Sequence, residues 1–259
     1  MTSIAAWVGV DTHGPASLYI ATDSRISWGS SKWDFGRKAF ASQRLPFIFG
    51  YVGVVLFPSL ILSQFVSALD VGARDPKDFD EMLAQLVGVV KLSHPKLPRA
   101  EQVPLEIVAC GRDGNGMRAQ FRAVVIGSVT PRKYTVHEVV FPLQSDLVVN
   151  EGSGRASVES ALTASRATAA EGTSRAIFAA FAQAIATGAD PNSGGAPQLA
   201  GLYRIGGGRT FGVVDRGKRY LHGLPVSGRP LAESLEWRNE LFERCDGATG
   251  KRLPDAQKH

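Results

Sequence analysis

The usual constellations of a catalytic site are missing from the sequence. The five histidines, His13, His94, His137, His222 and His259, stand isolated, and no His-x-x-x-His pair suggests a metal site. There is no Gly-x-Ser-x-Gly elbow and no Gly-x-x-x-x-Gly-Lys-Ser/Thr phosphate loop. The run Gly206-Gly207-Gly208 fails the dinucleotide pattern and reads better as a hairpin turn between two strands. What remains is a set of polar residues at the edges of apolar stretches, of the types that move protons or steady charge. Asp23-Ser24-Arg25 ends one such stretch and Lys38 begins another. Gly50-Tyr51-Val52-Gly53 separates two apolar segments, Gly152-Ser153-Gly154 precedes an Ala-rich region, and Asp190-Pro191-Asn192-Ser193-Gly194-Gly195 follows it. Taken singly, each has an ordinary reading: Asp23 a turn cap, Lys38 a solvated charge, the glycine clusters plain loops.

The elements that must carry these residues follow from periodicity. Residues 3–10 and 17–22 read as a hairpin around Asp11-Thr12-His13-Gly14-Pro15, and 35–42 with 46–52 as a second pair. Two helices are expected over 57–69 and 77–93, the second starting at Asp75-Pro76. Strands return at 105–110 and 120–126 around Asp113-Gly114-Asn115-Gly116, then at 134–141 and 147–150. Residues 156–187 read as two helices divided by Gly172. Strands follow at 199–205, 210–214 and 218–221. A last helix is expected over 230–244, with Leu231, Leu235, Leu241 and Phe242 along one face. The fold class is therefore α+β. Hairpins dominate, so two antiparallel sheets packed face to face, each covered by a helix pair, would bury every apolar face in a four-layer αββα sandwich.

Composition bounds the function classes. The chain has 259 residues, 44% hydrophobic and 20% charged, which fits a globular protein with a substantial core. Its net charge of +5 is scattered, so nucleic acid is not implied. With only Cys110 and Cys245, a disulfide framework or cysteine zinc site is not expected, and a reducing cytoplasm is the default. The N-terminus has no positive region before its apolar residues, so no secretory signal is expected. Residues 47–69 are apolar enough to suggest a membrane span. Gly50, Gly53 and Pro58 break that stretch, and it reads instead as a buried strand, a turn and a buried helix.

The ordered set of polar positions resembles the proteasome β-subunit and HslV-type peptidase family of N-terminal nucleophile hydrolases. Thr2-Ser3-Ile4 resembles that family's mature N-terminus, and Ala21-Thr22-Asp23-Ser24-Arg25 its Ala-Asp-Ser-Arg signature, with Gly29 where a glycine follows. Lys38 falls within one residue of the family's lysine spacing. Phe49-Gly50-Tyr51-Val52-Gly53 is similar to its Gly-x-x-Gly turn, while Gly152-Ser153-Gly154 and Asp190-x-x-Ser193-Gly194-Gly195 match two later signatures. The resemblance covers residues 2–223, with 224–259 left as a C-terminal helical extension. The first hairpin is about five residues longer than usual. Val54 stands where the family often has a second glycine. Anbu-type bacterial relatives also carry extensions.

The resemblance implies a threonine-type peptidase. Removal of Met1 would free the Thr2 amine, whose reference pKa of about 7.7 to 8.0 suits a base acting on its own hydroxyl. Lys38 would stabilise the alkoxide and Asp23 would hold Lys38. Ser153, Asp190 and Ser193 would orient the amine, and the Gly53 N–H would face the oxyanion. An extended peptide would add as a strand beside Arg25, Ile26 and Ser27 on one side and Val52 and Val54 on the other. No metal or other cofactor is expected. The implied partners are unfolded or peptide substrate, copies of the chain in one or two stacked homo-oligomeric rings, and an ATP-driven unfoldase. Two other readings share the fold: an N-terminal nucleophile amidase acting on a small amide, and a catalytically silent assembly subunit that keeps Met1. Leu235, Trp237, Leu241 and Phe242 suggest that the C-terminal stretch meets a neighbouring subunit.

Overall fold

The structure, a computed structural model, describes residues 2–130, 132–165, 172–228 and 235–256. The chain opens with a long hairpin, β1 (Ser3–Asp11) and β2 (Gly14–Thr22). A short hairpin follows, β3 (Ile26–Trp28) with β4 (Ser31–Trp33), then β5 (Ala39–Ala41) and β6 (Phe47–Gly53). Helices α1 (Leu56–Asp70) and α2 (Phe79–Ser93) lead to β7 (Leu105–Asp113), β8 (Gln120–Thr130), β9 (Lys133–Glu138) and β10 (Asp146–Gly152). After α3 (Arg155–Ser165) and α4 (Ser174–Thr187) come β11 (Gln198–Tyr203), β12 (Arg209–Asp215), β13 (Lys218–Leu221) and β14 (Leu224–Pro225). The described chain ends with β15 (Trp237–Asn239) and β16 (Arg244–Cys245).

The fold is α+β, with mostly antiparallel pairing. One sheet has five strands in the order β5-β6-β7-β8-β9. The other has nine, ordered β10-β1-β2-β11-β12-β13-β14, with β15 joined to β12 and β16 to β15. Strand alternation sorts most of the apolar side chains into three large clusters, with a small fourth around Val214, Trp237 and Cys245. Ile4, Ala6, Val8, Leu18 and Ile20 of the larger sheet meet Ile48, Val108, Cys110 and Ala123 of the smaller one. The opposite side chains of the same strands go elsewhere: Phe47, Phe49 and Ile107 pack with Phe57, Phe65 and Leu86 of α1 and α2. Ala5, Trp7, Tyr19 and Ala21 pack with Val158, Phe178 and Phe181 of α3 and α4. Gly50 lets the sheets approach, because a β-carbon there would lie 2.6 Å from Ile4 Cδ1 and 3.0 Å from Ile20 Cγ2.

Residues 47–69 form β6, a short turn and α1, and among the described residues no helix is long and apolar enough to cross a membrane. Helix α2 starts later than expected. Its N-cap is Asp78 rather than Asp75-Pro76, with Asp78 accepting from the Glu81 N–H at 2.8 Å while Glu81 accepts from the Lys77 N–H at 3.0 Å. The β3–β4 hairpin was not anticipated from the sequence.

The helix expected over 230–244 is overturned; residues 230–234 lie outside the described residues. The rest forms β15 and β16. The side chain of Asn239 accepts from the N–H groups of Leu241 and Glu243 at 3.0 and 2.8 Å, a turn that competes with helix. Phe242 takes a left-handed φ of 63°, which no right-handed helix accommodates. The 224–259 segment is therefore no helical extension in its described part: β15 runs parallel to β12, pairing Gly212–Val214 just beyond the residues that β12 offers to β11. Trp237 and Phe242 are also buried within this chain and not left for a neighbour. Phe242 sits 5.1 Å from the Tyr19 ring, 5.5 Å from Phe178 and 5.8 Å from Trp7. Truncating a fully packed aromatic to alanine leaves a cavity. Phe242→Ala is accordingly expected to lower unfolding free energy by about 3–5 kcal/mol in a urea titration, and a loss below about 1 kcal/mol would contradict this packing.

Candidate active site

The polar residues singled out in the sequence sit where strands end. Thr2 immediately precedes β1 and Asp23 immediately follows β2, so the antiparallel register of Ile4 with Thr22 brings them to the same end of the hairpin. The Asp23 N–H donates to the Ser3 carbonyl at 3.2 Å. Lys38 directly precedes β5, Gly53 ends β6, and Ser153 follows β10, whose Gly152 pairs with Ser3. The Ser153 N–H donates to the Thr2 carbonyl at 3.0 Å. That approach requires glycine at 152: its φ is +97°, and a β-carbon there would stand 1.7 Å from the Thr2 carbonyl oxygen.

Two clusters result. In the first, the Lys38 ammonium has its three protons matched by three acceptors: Thr2 Oγ1 at 3.1 Å, Asp23 Oδ1 at 2.8 Å, and the Arg25 carbonyl. Asp23 is equally saturated. Its Oδ1 also accepts from the Ser3 N–H at 3.0 Å, and its Oδ2 from the N–H groups of Arg25 at 3.0 Å and Gly194 at 3.1 Å. Thr2, Asp23 and Lys38 are all 0% exposed, so the solvated-charge reading of Lys38 does not hold. Burial pushes the Lys38 ammonium below its ordinary value, against the pull of Asp23, and raises the Asp23 carboxyl against the pull of Lys38.

In the second cluster, Asp190 Oδ2 accepts from the hydroxyls of Ser153 and Ser193, each at 2.6 Å, and Oδ1 accepts from the Asn192 N–H at 3.1 Å. Because Ser193 spends its proton on the carboxylate, the 2.6 Å contact between Ser3 Oγ and Ser193 Oγ runs with Ser3 as donor. Ser3 thus joins the clusters, its N–H on Asp23 and its hydroxyl on Ser193. Burial pushes the Asp190 carboxyl up, but the Ser153, Ser193 and Asn192 donors outweigh it and leave the carboxyl below the usual range.

The expected peptide-binding residues flank this arrangement. The Arg25 guanidinium is committed to Asp34 at 2.7 and 2.8 Å and to the carbonyls of Ser193 and Pro191 at 3.2 and 3.3 Å. Ile26 is buried over Gly36, where a β-carbon would meet Ile26 Cδ1 at 2.5 Å. Ser27 is half-buried, and its hydroxyl has no hydrogen-bond partner among the described residues. Val52 adjoins the Gly152 turn, with Cγ1 3.2 Å from a β-carbon built there, and Val54 is half-buried beyond Gly53. Gly53 takes a φ of +94°. The sequence reading missed Ser3, Asp34 and Gln198. For Ser3 and Gln198 the available signal was a polar residue opening an otherwise apolar strand. Among the described residues, no group of His, Cys, Asp and Glu could hold a metal ion.

No protein-family model matches the chain, and no curated protein matches it. The site's chemistry therefore rests on its own geometry: an uncharged hydroxyl beside a buried ammonium, with a saturated carboxylate behind it. A carboxyl whose pKa is depressed on folding stabilises the fold above its ordinary pKa near 3.8, and that stabilisation is lost as pH falls through the depressed value. Asp190→Asn is expected to lower the thermal midpoint at pH 7, with the gap from wild type narrowing as pH falls from 7 to below 3.8. A gap of constant size across that range would mean that the charge on Asp190 is not what Ser153 and Ser193 stabilise.

Proposed function

We propose that the chain is a threonine-type peptidase of the N-terminal nucleophile class, related to proteasome β-subunits and HslV-type peptidases, with Thr2 as nucleophile after removal of Met1. The observation that carries this reading is the Lys38 ammonium, buried and 3.1 Å from Thr2 Oγ1. A buried ion pair is a poor way to stabilise a core, since apolar residues of similar volume often do as well or better. A lysine aimed at a threonine hydroxyl has a chemical use instead: it favours the alkoxide and disfavours protonation of a nearby amine.

The mechanism balances with few groups. The free Thr2 amine takes the hydroxyl proton, directly or through one water, and Oγ1 attacks the substrate carbonyl carbon. The oxyanion forms against the Gly53 N–H, and in such sites one donor contributes on the order of 3 kcal/mol. Collapse breaks the C–N bond, the leaving amine takes the proton, and an ester remains on Oγ1. Water then attacks the ester with the amine again as base, releasing the acid and restoring the hydroxyl. Lys38 stays charged throughout. Peptide would pair with the backbone near Ser27 on one side and Gly53–Val54 on the other.

Apolar clusters shared between the two sheets, and between each sheet and a helix pair, support a four-layer αββα arrangement like that family's. The same reading carries homo-oligomeric rings enclosing the site, a cytoplasmic setting and an ATP-driven unfoldase as partner. Complete burial of the Thr2 side chain also suits a silent assembly subunit that retains Met1. Intact-protein mass spectrometry separates the two: loss of the Met1 mass is expected, and full retention in the native host favours the silent subunit. Thr2→Ala is expected to abolish fluorogenic-peptide hydrolysis without changing particle size. Turnover retained in that variant sinks the proposal, and turnover of small amides alone selects the amidase. Because burial lowers the Lys38 ammonium from 10.5, the alkaline limb of the wild-type rate should fall below the ordinary lysine range.

A further inference from the structure

Gln198 opens β11 and is only 3% exposed, yet its side-chain amide reaches segments far away in sequence. Its Oε1 accepts from the backbone N–H of Lys38 at 3.0 Å and of Ala39 at 3.4 Å. The two protons of its Nε2 are shared among three acceptors, the Gly36 carbonyl at 2.6 Å, Ser24 Oγ at 2.9 Å and the Asp23 carbonyl at 3.3 Å. Donors lie on one side of the amide and acceptors on the other, so only one orientation satisfies it. Ser24 Oγ spends its own proton on the Ala196 carbonyl at 2.5 Å and is free to accept from Gln198.

The contacts matter because of what the sheets leave unheld. Lys38 lies one residue before β5, whose pairing with β6 begins at Ala39, and Asp23 lies one residue after β2. Both charged residues sit just outside the strand ladders. Gln198 is anchored in register with Thr22 and bridges the two backbones from a third strand. We propose that Gln198 is a positioning residue of the candidate active site: its amide fixes the Lys38 backbone against that of Asp23 and so sets the reach of the Lys38 ammonium to Thr2 Oγ1. The catalytic consequence rests on the peptidase reading, whereas the positional claim stands on these contacts alone.

Gln198→Glu keeps the volume and the acceptors but not the donors, and Gln198→Met keeps the volume alone. In the full-length folded variants, the pH titration of Lys38, followed by NMR of its ε-methylene, should move away from that of wild type. The kcat for a fluorogenic peptide should fall on the order of 100-fold, as expected for a charge displaced by about 1 Å. KM should stay within about twofold, since substrate binding is not what is lost. A lowered unfolding midpoint with wild-type Lys38 titration and wild-type kcat would reduce Gln198 to a structural contact and overturn the proposal. If wild type itself cleaves no peptide, the peptidase reading fails while the Lys38 titration still judges Gln198. Should neither variant fold, hydrogen exchange on the unaltered protein decides: slow exchange of the Lys38 amide proton is expected, and exchange at the unprotected rate overturns the claim.

Discussion

A lysine and an aspartate, both fully removed from water, meet at 2.8 Å. Such a pair is tolerable only when every remaining proton and lone pair is matched, because desolvating two charges costs several kcal/mol each. The surroundings of Asp23 and Lys38 follow from that requirement. Backbone N–H groups of Ser3, Arg25 and Gly194 converge on the carboxylate, and the Arg25 carbonyl and Thr2 hydroxyl receive the ammonium. The β1–β2 hairpin, the start of β5 and the 190–195 loop therefore cannot shift independently. A displacement of any one would strand a buried charge.

The architecture supplies this convergence without a dedicated loop scaffold. Antiparallel pairing brings the start of β1, the end of β2 and the end of β10 to one edge of the larger sheet. The facing sheet contributes Lys38 from the start of β5 and Gly53 from the end of β6. Close approach of the layers is permitted by glycine where a side chain would collide, as at Gly50 between Ile4 and Ile20. The site is thus a property of how strand ends align across two sheets, and the apolar clusters between and outside them hold that alignment rigid.

Much of this was legible in the sequence because period-two patterns and glycine turns are local signals. The hairpins, α1 to α4 and the division near Gly172 follow from such signals, and so do the polar residues at strand ends. What failed was non-local. The apparent helical face of Leu231, Leu235, Leu241 and Phe242 is real as a spacing, but the side chain of Asn239 and the pairing of Trp237 with Gly212 decide the backbone. Taken singly, Lys38 reads as a surface charge, because nothing near it in sequence points to Asp23, fifteen residues earlier; only the resemblance pairs the two. Gln198 was invisible for the same reason: its partners lie about 160 to 175 residues away.

The division of labour between the two polar clusters has a further physical meaning. Asp190 gathers hydroxyl donors and has its pKa lowered, so it remains a fixed anion at neutral pH. Asp23 is raised by burial and depends on Lys38 and three N–H groups to stay charged. One carboxylate is therefore robust and the other conditional; Ser3 donates to Asp23 directly and reaches Asp190 only through Ser193. Thr2 stands beside the conditional one, its hydroxyl 3.1 Å from the Lys38 ammonium. Its main-chain carbonyl is held by Ser153, the partner of the robust one. Thr2 is in this way clamped by the stable cluster and polarised by the responsive one. On the proposed peptidase reading, that arrangement would let the hydroxyl change charge during the reaction while its backbone stays still.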